Sequence, residues 1–137
     1  MIRKIEKKDY ESIFLLLNQL TTSPFINKDD FNTIINNLSN NHLILVYEFD
    51  LKIIGCITIF IEQKLIHSGK CVAHIEDLVV DNNYKNQKIG SKLINYCIEI
   101  ANKNNCYKII LDCNENLLNF YKKINFKQQG ICMRFDL

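Results

Sequence analysis

Between residues 42 and 80 the chain reads as three strands in succession, and this run limits the possible folds more than any other feature. HLILVYEF (42–49) is apolar and rich in strand-forming side chains. Asp50, Leu51 and Lys52 turn it into a long second run, IIGCITIFIEQKLI (53–66). Ser68, Gly69 and Lys70 make the next turn, and CVAHIEDLVV (71–80) is the third strand of a meander. At residue 81 the period changes. Residues 81–88 are polar, and Gly90 opens a helix to about residue 102 with Leu93, Ile94, Cys97, Ile98 and Ala101 on one face. YKIILDC (107–113) follows as a strand. Its nearly continuous apolar run is that of a strand covered on both faces.

The flanks complete the pattern. Residues 2–5 form a short first strand. Asp9 is placed to cap a helix running to about residue 20, with Ile13, Phe14, Leu17 and Leu20 at helical spacing. Pro24 stops it, and Asn27 caps a second helix carrying Phe31, Ile34, Ile35 and Leu38. Residues 116–126 read as a short helix and a turn, and GICMRFDL (130–137) as a last strand. The predicted order is β-α-α-β-β-β-α-β-α-β. This is an α/β (α+β) chain with a mixed central sheet flanked by helices. With 137 residues, 47% of them hydrophobic, four Gly and one Pro, a single domain over 1–137 is expected.

Composition excludes several functions. A net charge of +2, with Lys interspersed among Asp and Glu, gives no nucleic-acid footprint. No apolar run approaches a membrane span. Six cysteines lie in or beside apolar stretches with no CxxC pair, no zinc-like Cys/His spacing and no apolar leader in MIRKIEKKDY. Reduced thiols in a cytoplasmic protein, with no metal, are expected. Neither GxxxxGK[ST] nor GxGxxG occurs, which argues against a nucleoside triphosphate or dinucleotide.

The candidate chemistry lies in three places. DLVVDNNYKNQKIGSKLI (77–94) is a strand, a polar loop and a helix, with Lys85, Lys88 and Lys92 nearby. Backbone amides at a helix N-terminus favour a phosphate or pyrophosphate, and Gly90 lets backbone and ligand approach. By spacing alone, an ordinary strand–helix turn with a solvated basic rim fits at least as well. Glu76 and Asp77 are acids inside an apolar strand, which is costly unless they are paired or functional. Alternation puts them on opposite faces. Asp112 ends its strand, with Tyr121 nine residues on. Both can be a strand-end acid and a core aromatic, or both can sit at the ligand-binding edge of the sheet.

The loop at 77–94 together with FYKKINF (120–126) resembles the GNAT acyltransferase superfamily, whose loop Q/R-x-x-G-x-G/A holds the pyrophosphate of coenzyme A through its amides. Lys85 stands at the Gln/Arg position, Lys88 at the first Gly, and Gly90 matches. HIEDLVV (74–80), CYKIILDC (106–113), NFYKKINF (119–126), LTT (20–22) and KLIH (64–67) are similar more narrowly to the eukaryotic glucosamine 6-phosphate N-acetyltransferases, through nearly the whole chain.

That resemblance implies acetyl transfer from acetyl-CoA to the 2-amino group of glucosamine 6-phosphate, a step in making UDP-N-acetylglucosamine. It implies a homodimer whose C-terminal strands cross between subunits. For coenzyme A it implies Leu78, Val79, Val80, Asn86, Gln87, Lys88, Ile89, Gly90, Ser91 and Tyr121. Tyr121 serves the departing thiolate, Asp112 the amine proton, and Glu76 and Asp77 the sugar. Thr21, Lys64, His67, Lys108 and Arg134 are candidates for the sugar phosphate and hydroxyls, some supplied by the partner subunit. The alternatives are another amine acceptor, a peptide or a polyamine, and a coenzyme A-binding module without turnover.

Overall fold

A computed structural model describes all 137 residues. Five strands, β1 (Ile2–Lys4), β2 (His42–Phe49), β3 (Lys52–Gln63), β4 (Cys71–Val80) and β5 (Cys106–Ile110), form one sheet in chain order. β1 to β4 pair antiparallel; short turns join β2, β3 and β4, whereas α1 and α2 lie between β1 and β2. β4 and β5 pair parallel, because a helix carries the chain back between them. The helices are α1 (Tyr10–Leu17), α2 (Lys28–Asn37), the single turn α3 (Ile66–Gly69), α4 (Ile89–Lys103) and α5 (Leu118–Lys123).

The sheet buries both faces. Ile57, Ile59 and Ile75 meet Leu93, Ile94 and Cys97 of α4 on one side. Val46, Cys56 and Val79 meet Ile13, Phe14 and Phe31 of α1 and α2 on the other. Each fully buried aliphatic contributes about 1.5–3 kcal/mol, so α4 and α1 are held by packing rather than by propensity. Gly55 lets α4 lie close: a Cβ there would come within 3.1 Å of both Ile89 Cγ2 and Leu93 Cδ1.

Several boundaries depart from the sequence reading. Asp9 does not cap α1; its carboxylate grips Arg3 at 2.7 and 2.8 Å and accepts the Glu6 N–H at 2.8 Å. Both carboxylate oxygens are engaged there, so neither is left for the first amides of α1. α1 stops at Leu17 rather than near residue 20, since Asn18 bonds the Ser23 carbonyl and closes a loop. Asn27 does cap α2, accepting from Asp30 N–H at 2.8 Å. β3 ends at Gln63, because His67 and Ser68 take left-handed backbone in the turn that follows. β5 ends at Ile110 and is not covered on both faces: Lys108 and Ile110 are exposed.

No strand forms at 130–137. Ile131, Met133 and Phe135 are 87–89% exposed. A strand without a ladder leaves every N–H and C=O to water, and nothing within the chain pairs with this one.

Candidate functional site

The site begins with a defect in β4. Cys56 pairs with Val79, but Thr58 pairs with Glu76, so Ile57 alone faces both Asp77 and Leu78. This is a β-bulge. Asp77 accommodates it with φ +52°, the left-handed region that Asp tolerates better than most residues. The bulge softens the expected alternation: Glu76 and Asp77 both line one cleft, while Asp77 also borders the apolar pocket under α1 and α2.

The cleft opens because the β4–β5 ladder ends at the pair His74 and Ile110. Beyond it the strands diverge around a cavity of about 330 Å³. Glu76, Asp77 and Leu78 come from β4, Asp112 from the segment after β5, Leu20 from the loop after α1, and Tyr121 from α5. Burial, then Asp77 and Asp112, push the Glu76 carboxyl above the usual carboxylate range. No Lys or Arg lines the cleft. It is therefore an acidic site, suited to an amine.

Tyr121 packs against Phe120 at 4.9 Å and Phe126 at 5.9 Å and is 7% exposed. Burial and the nearby Cys113 hold its phenol above the ordinary value, so it stays protonated at neutral pH. Asn32 Oδ1 is the only buried side-chain polar atom without a partner, so the unbonded Tyr121 hydroxyl reaches the open volume. The arrangement can hold a proton ready for a group that develops negative charge. Asp112 accepts a hydrogen bond from Cys132 Sγ at 3.2 Å, which draws the tail toward the cleft mouth.

The loop after β4 is shaped for an anion. Asp81 caps a 3₁₀ turn (Asn82–Tyr84) by accepting from Asn83 N–H at 2.8 Å. Asn86 and Lys88 are both left-handed, at φ 66° and 61°. Left-handed residues in a turn can aim successive N–H groups into one concavity. Lys88 is the N-cap of α4 and offers no side-chain bond, so the first amides of α4 (Ile89, Gly90, Ser91) keep their donors for a ligand. These features fit a pyrophosphate. Gly90 has a second duty: a Cβ there would lie 3.3 Å from Phe120 Cζ and 3.7 Å from Val80 Cγ2. Its bareness seats α5, and with it Tyr121, against α4.

The other candidates do not line the cleft. Thr21 is exposed beside the cleft-lining Leu20. Lys64 pairs with Glu62 at 2.5 Å, and Glu62 also bonds His74 at 2.8 Å. His67 stacks on Tyr107 at 4.0 Å, with the Lys108 ammonium 5.5 Å from the same ring. His67 and Lys108 lie toward the start of β4 and β5, with Lys108 paired to Val72, whereas His74 stands two residues before Glu76 on β4. Arg134 pairs with Asp136 at 2.6 Å on the exposed tail. Leu20 and Cys113 line the cleft and were not singled out by sequence; for Cys113 the only signal is its place after Asp112.

The profile of the Acetyltransferase (GNAT) family matches residues 2–126. Glucosamine 6-phosphate N-acetyltransferase 1 of Dictyostelium discoideum is 40% identical over 126 residues, covering 88% of this chain and 80% of its own. The glucosamine 6-phosphate N-acetyltransferase of Candida albicans is 34% identical, covering 96% of this chain and 91% of its own. The crystal structure of glucosamine-6-phosphate N-acetyltransferase from Arabidopsis thaliana superposes with TM-score 0.95 at 29% identity, covering 99% of this chain and 97% of that one.

Proposed function

The chain belongs to the acetyltransferase (GNAT) family, and from that premise we propose that it is a glucosamine 6-phosphate N-acetyltransferase. It transfers acetyl from acetyl-CoA to the 2-amino group of D-glucosamine 6-phosphate, giving N-acetylglucosamine 6-phosphate, a precursor of UDP-N-acetylglucosamine, and CoA. The observation that carries the reading is the cleft itself. Three carboxylates and an unpartnered phenol meet between diverging strands, beside uncapped helix amides, in a chain similar over most of its length to enzymes of that name.

The residues divide the work as follows. Amides of Asn86, Gln87, Lys88, Ile89, Gly90 and Ser91 hold the pyrophosphate, and the β4 backbone at Leu78, Val79 and Val80, beyond the end of the β5 ladder, holds pantetheine and the thioester carbonyl. Glu76 and Asp77 orient the sugar. The amine nitrogen attacks the carbonyl carbon, its proton passes to Asp112 or Glu76, and the carbon–sulfur bond breaks. Tyr121 gives the leaving thiolate a proton. The raised Glu76 carboxyl binds a proton more readily than an ordinary one, which suits a base of this kind.

The phosphate needs cations that the single-chain cleft lacks. The proposal therefore includes a homodimer in which Thr21, Lys64, His67, Lys108 and Arg134, some of them from the partner subunit, serve the phosphate and hydroxyls. The bare apolar tail is the support for that assembly. The unit is one domain over residues 1–137. Six free thiols suit a reducing, cytoplasmic location, and no helix is long and apolar enough to cross a membrane.

Thiol release from acetyl-CoA tests the reading against glucosamine 6-phosphate, glucosamine, an amino-terminal peptide and a polyamine. Glucosamine 6-phosphate is expected to exceed glucosamine by at least about tenfold in kcat/KM, since each charge-assisted phosphate contact is worth roughly 1.5–3 kcal/mol. Equal turnover of both sugars refutes the phosphate assignment. Preference for the polyamine would mean that the acidic cleft works alone.

A further inference from the structure

The loop that follows α1 is closed by one side chain and moored by the next. Asn18 turns inward: Nδ2 donates to Phe14 O at 2.9 Å and Ser23 O at 2.8 Å, and Oδ1 accepts from Ser23 N–H at 3.0 Å. Residues 18–23 thereby form a compact loop that presents Leu20 to the cleft, with Thr21 beside it. Gln19 reaches outward. Its Oε1 accepts from Asn82 N–H at 2.8 Å, and its Nε2 donates to Asp81 Oδ2 at 3.4 Å.

The far side of this bridge is tied to β3 and to its own 3₁₀ turn. Asp81 N–H donates to Ile54 O at 2.9 Å, its Oδ1 accepts from Asn83 N–H at 2.8 Å, and its carbonyl accepts from Tyr84 N–H at 2.8 Å. Asp81 opens the loop that runs through Asn86 and Lys88 to α4. No backbone hydrogen bond joins residues 18–23 to residues 81–84, so the Gln19 amide is their only hydrogen-bonded link. A primary amide suits the task because it offers an acceptor to the N–H and a donor to the carboxylate together. Glu would set a second negative charge against Asp81, and Lys would have no acceptor.

We propose that Gln19 is a positioning residue that couples the two substrate sites. This rests on the reading above, in which coenzyme A occupies the loop before α4 and the sugar the cleft. Coenzyme A bound at residues 85–91 stiffens residues 81–84. Through Gln19 that order passes to Leu20 and Thr21, and the acceptor half of the site is set before the sugar arrives. Coupling of this kind is reciprocal, so the sugar tightens coenzyme A by the same factor.

The test compares wild type, Gln19→Ala, Gln19→Glu and the double variant Gln19→Glu/Asp81→Asn. The double variant keeps an acceptor for Asn82 N–H and moves the amide donor from position 19 to position 81. In wild type, coenzyme A is expected to slow amide hydrogen exchange across residues 19–23. In Gln19→Ala and Gln19→Glu that protection is lost, and in the double variant it returns. KM for glucosamine 6-phosphate rises roughly three- to tenfold in the single variants with kcat within about twofold, the scale of one or two net hydrogen bonds. Equal protection in wild type and Gln19→Ala, no protection in wild type, or failure of the double variant to rescue would each overturn the proposal. Absence of turnover with glucosamine 6-phosphate would sink the functional reading instead. The exchange measurement needs only coenzyme A and decides the coupling on its own.

Discussion

Replacing Lys88 with glycine should make the protein more stable while weakening coenzyme A binding only slightly. Lys88 caps α4 at φ 61° and ψ 17° and makes no side-chain bond there. An L side chain in that left-handed region costs about 1–2 kcal/mol. Glycine removes the cost but gives back roughly 0.5–1 kcal/mol in the unfolded chain's freedom. The net gain is about 0.5–1 kcal/mol, or roughly 2–4 °C in Tm for a chain of this size. Against this stands the lost cation. A solvent-exposed charge contact is worth at most about 1 kcal/mol, so the Kd for acetyl-CoA should rise no more than about fivefold. Salt should narrow the difference.

Lys88→Ala separates the two effects. It keeps a Cβ in the left-handed backbone and loses the same charge, so its affinity should match that of the glycine variant without the gain in Tm. Differential scanning calorimetry and isothermal titration at two salt concentrations give both quantities. A glycine variant that melts below wild type would refute the strain argument. One that abolishes binding would show that the side chain, rather than the amides of the loop and α4, holds the phosphates.

Three further outcomes follow from the site. Tyr121→Phe should lower kcat by about 10–1000-fold and leave the Kd for acetyl-CoA unchanged; calorimetry beside steady-state kinetics checks this, and a wild-type kcat would make Tyr121 core only. Glu76 has a folded-state carboxyl shifted upward by burial, Asp77 and Asp112, so the native state binds its proton more tightly than the unfolded chain does. Stability from this group is therefore lost as pH rises from the ordinary carboxylate value through the raised one. Glu76→Gln should raise Tm at neutral pH, with the gain fading on acidification; a gain that grows in acid would reverse the sign argued here. Truncation after Gly130 should leave far-ultraviolet circular dichroism nearly unchanged, since the tail contributes no strand. It should halve the mass seen by light scattering and abolish turnover, and an active monomer would refute the proposed homodimer.

Sequence reading worked where one periodicity ran unbroken between clear turns. Residues 42–49 and 71–80 were bounded as observed, and α4 within a residue. The family resemblance, drawn from HIEDLVV and CYKIILDC, agrees with the matched profile and the named relatives. It failed where backbone geometry departs from its period without any mark in the residues. A non-glycine residue with positive φ looks like any other, so the bulge at Asp77 and the cap at Lys88 were invisible. Lys88 stands where the family's glycine is expected, and that was the only hint. The apolar run of β5 and the alternating tail misled for a different reason: both carry surface that this chain alone does not cover.

The cleft of one chain holds acids and a phenol but no cation. The acids, the phenol and the anion loop meet because β4 bulges and then parts from β5, which are events within the fold. The cations do not meet them. Lys64 is held by Glu62, and His67 and Lys108 by the ring of Tyr107. The proposed homodimer would bring cations of a second copy to a sugar phosphate, and the exposed residues of 131–137 offer apolar surface for such a copy to cover. An acceptor without a phosphate would need neither. The proposed homodimer links substrate choice to assembly: a variant that stays monomeric should lose its preference for glucosamine 6-phosphate over glucosamine before it loses the ability to bind acetyl-CoA.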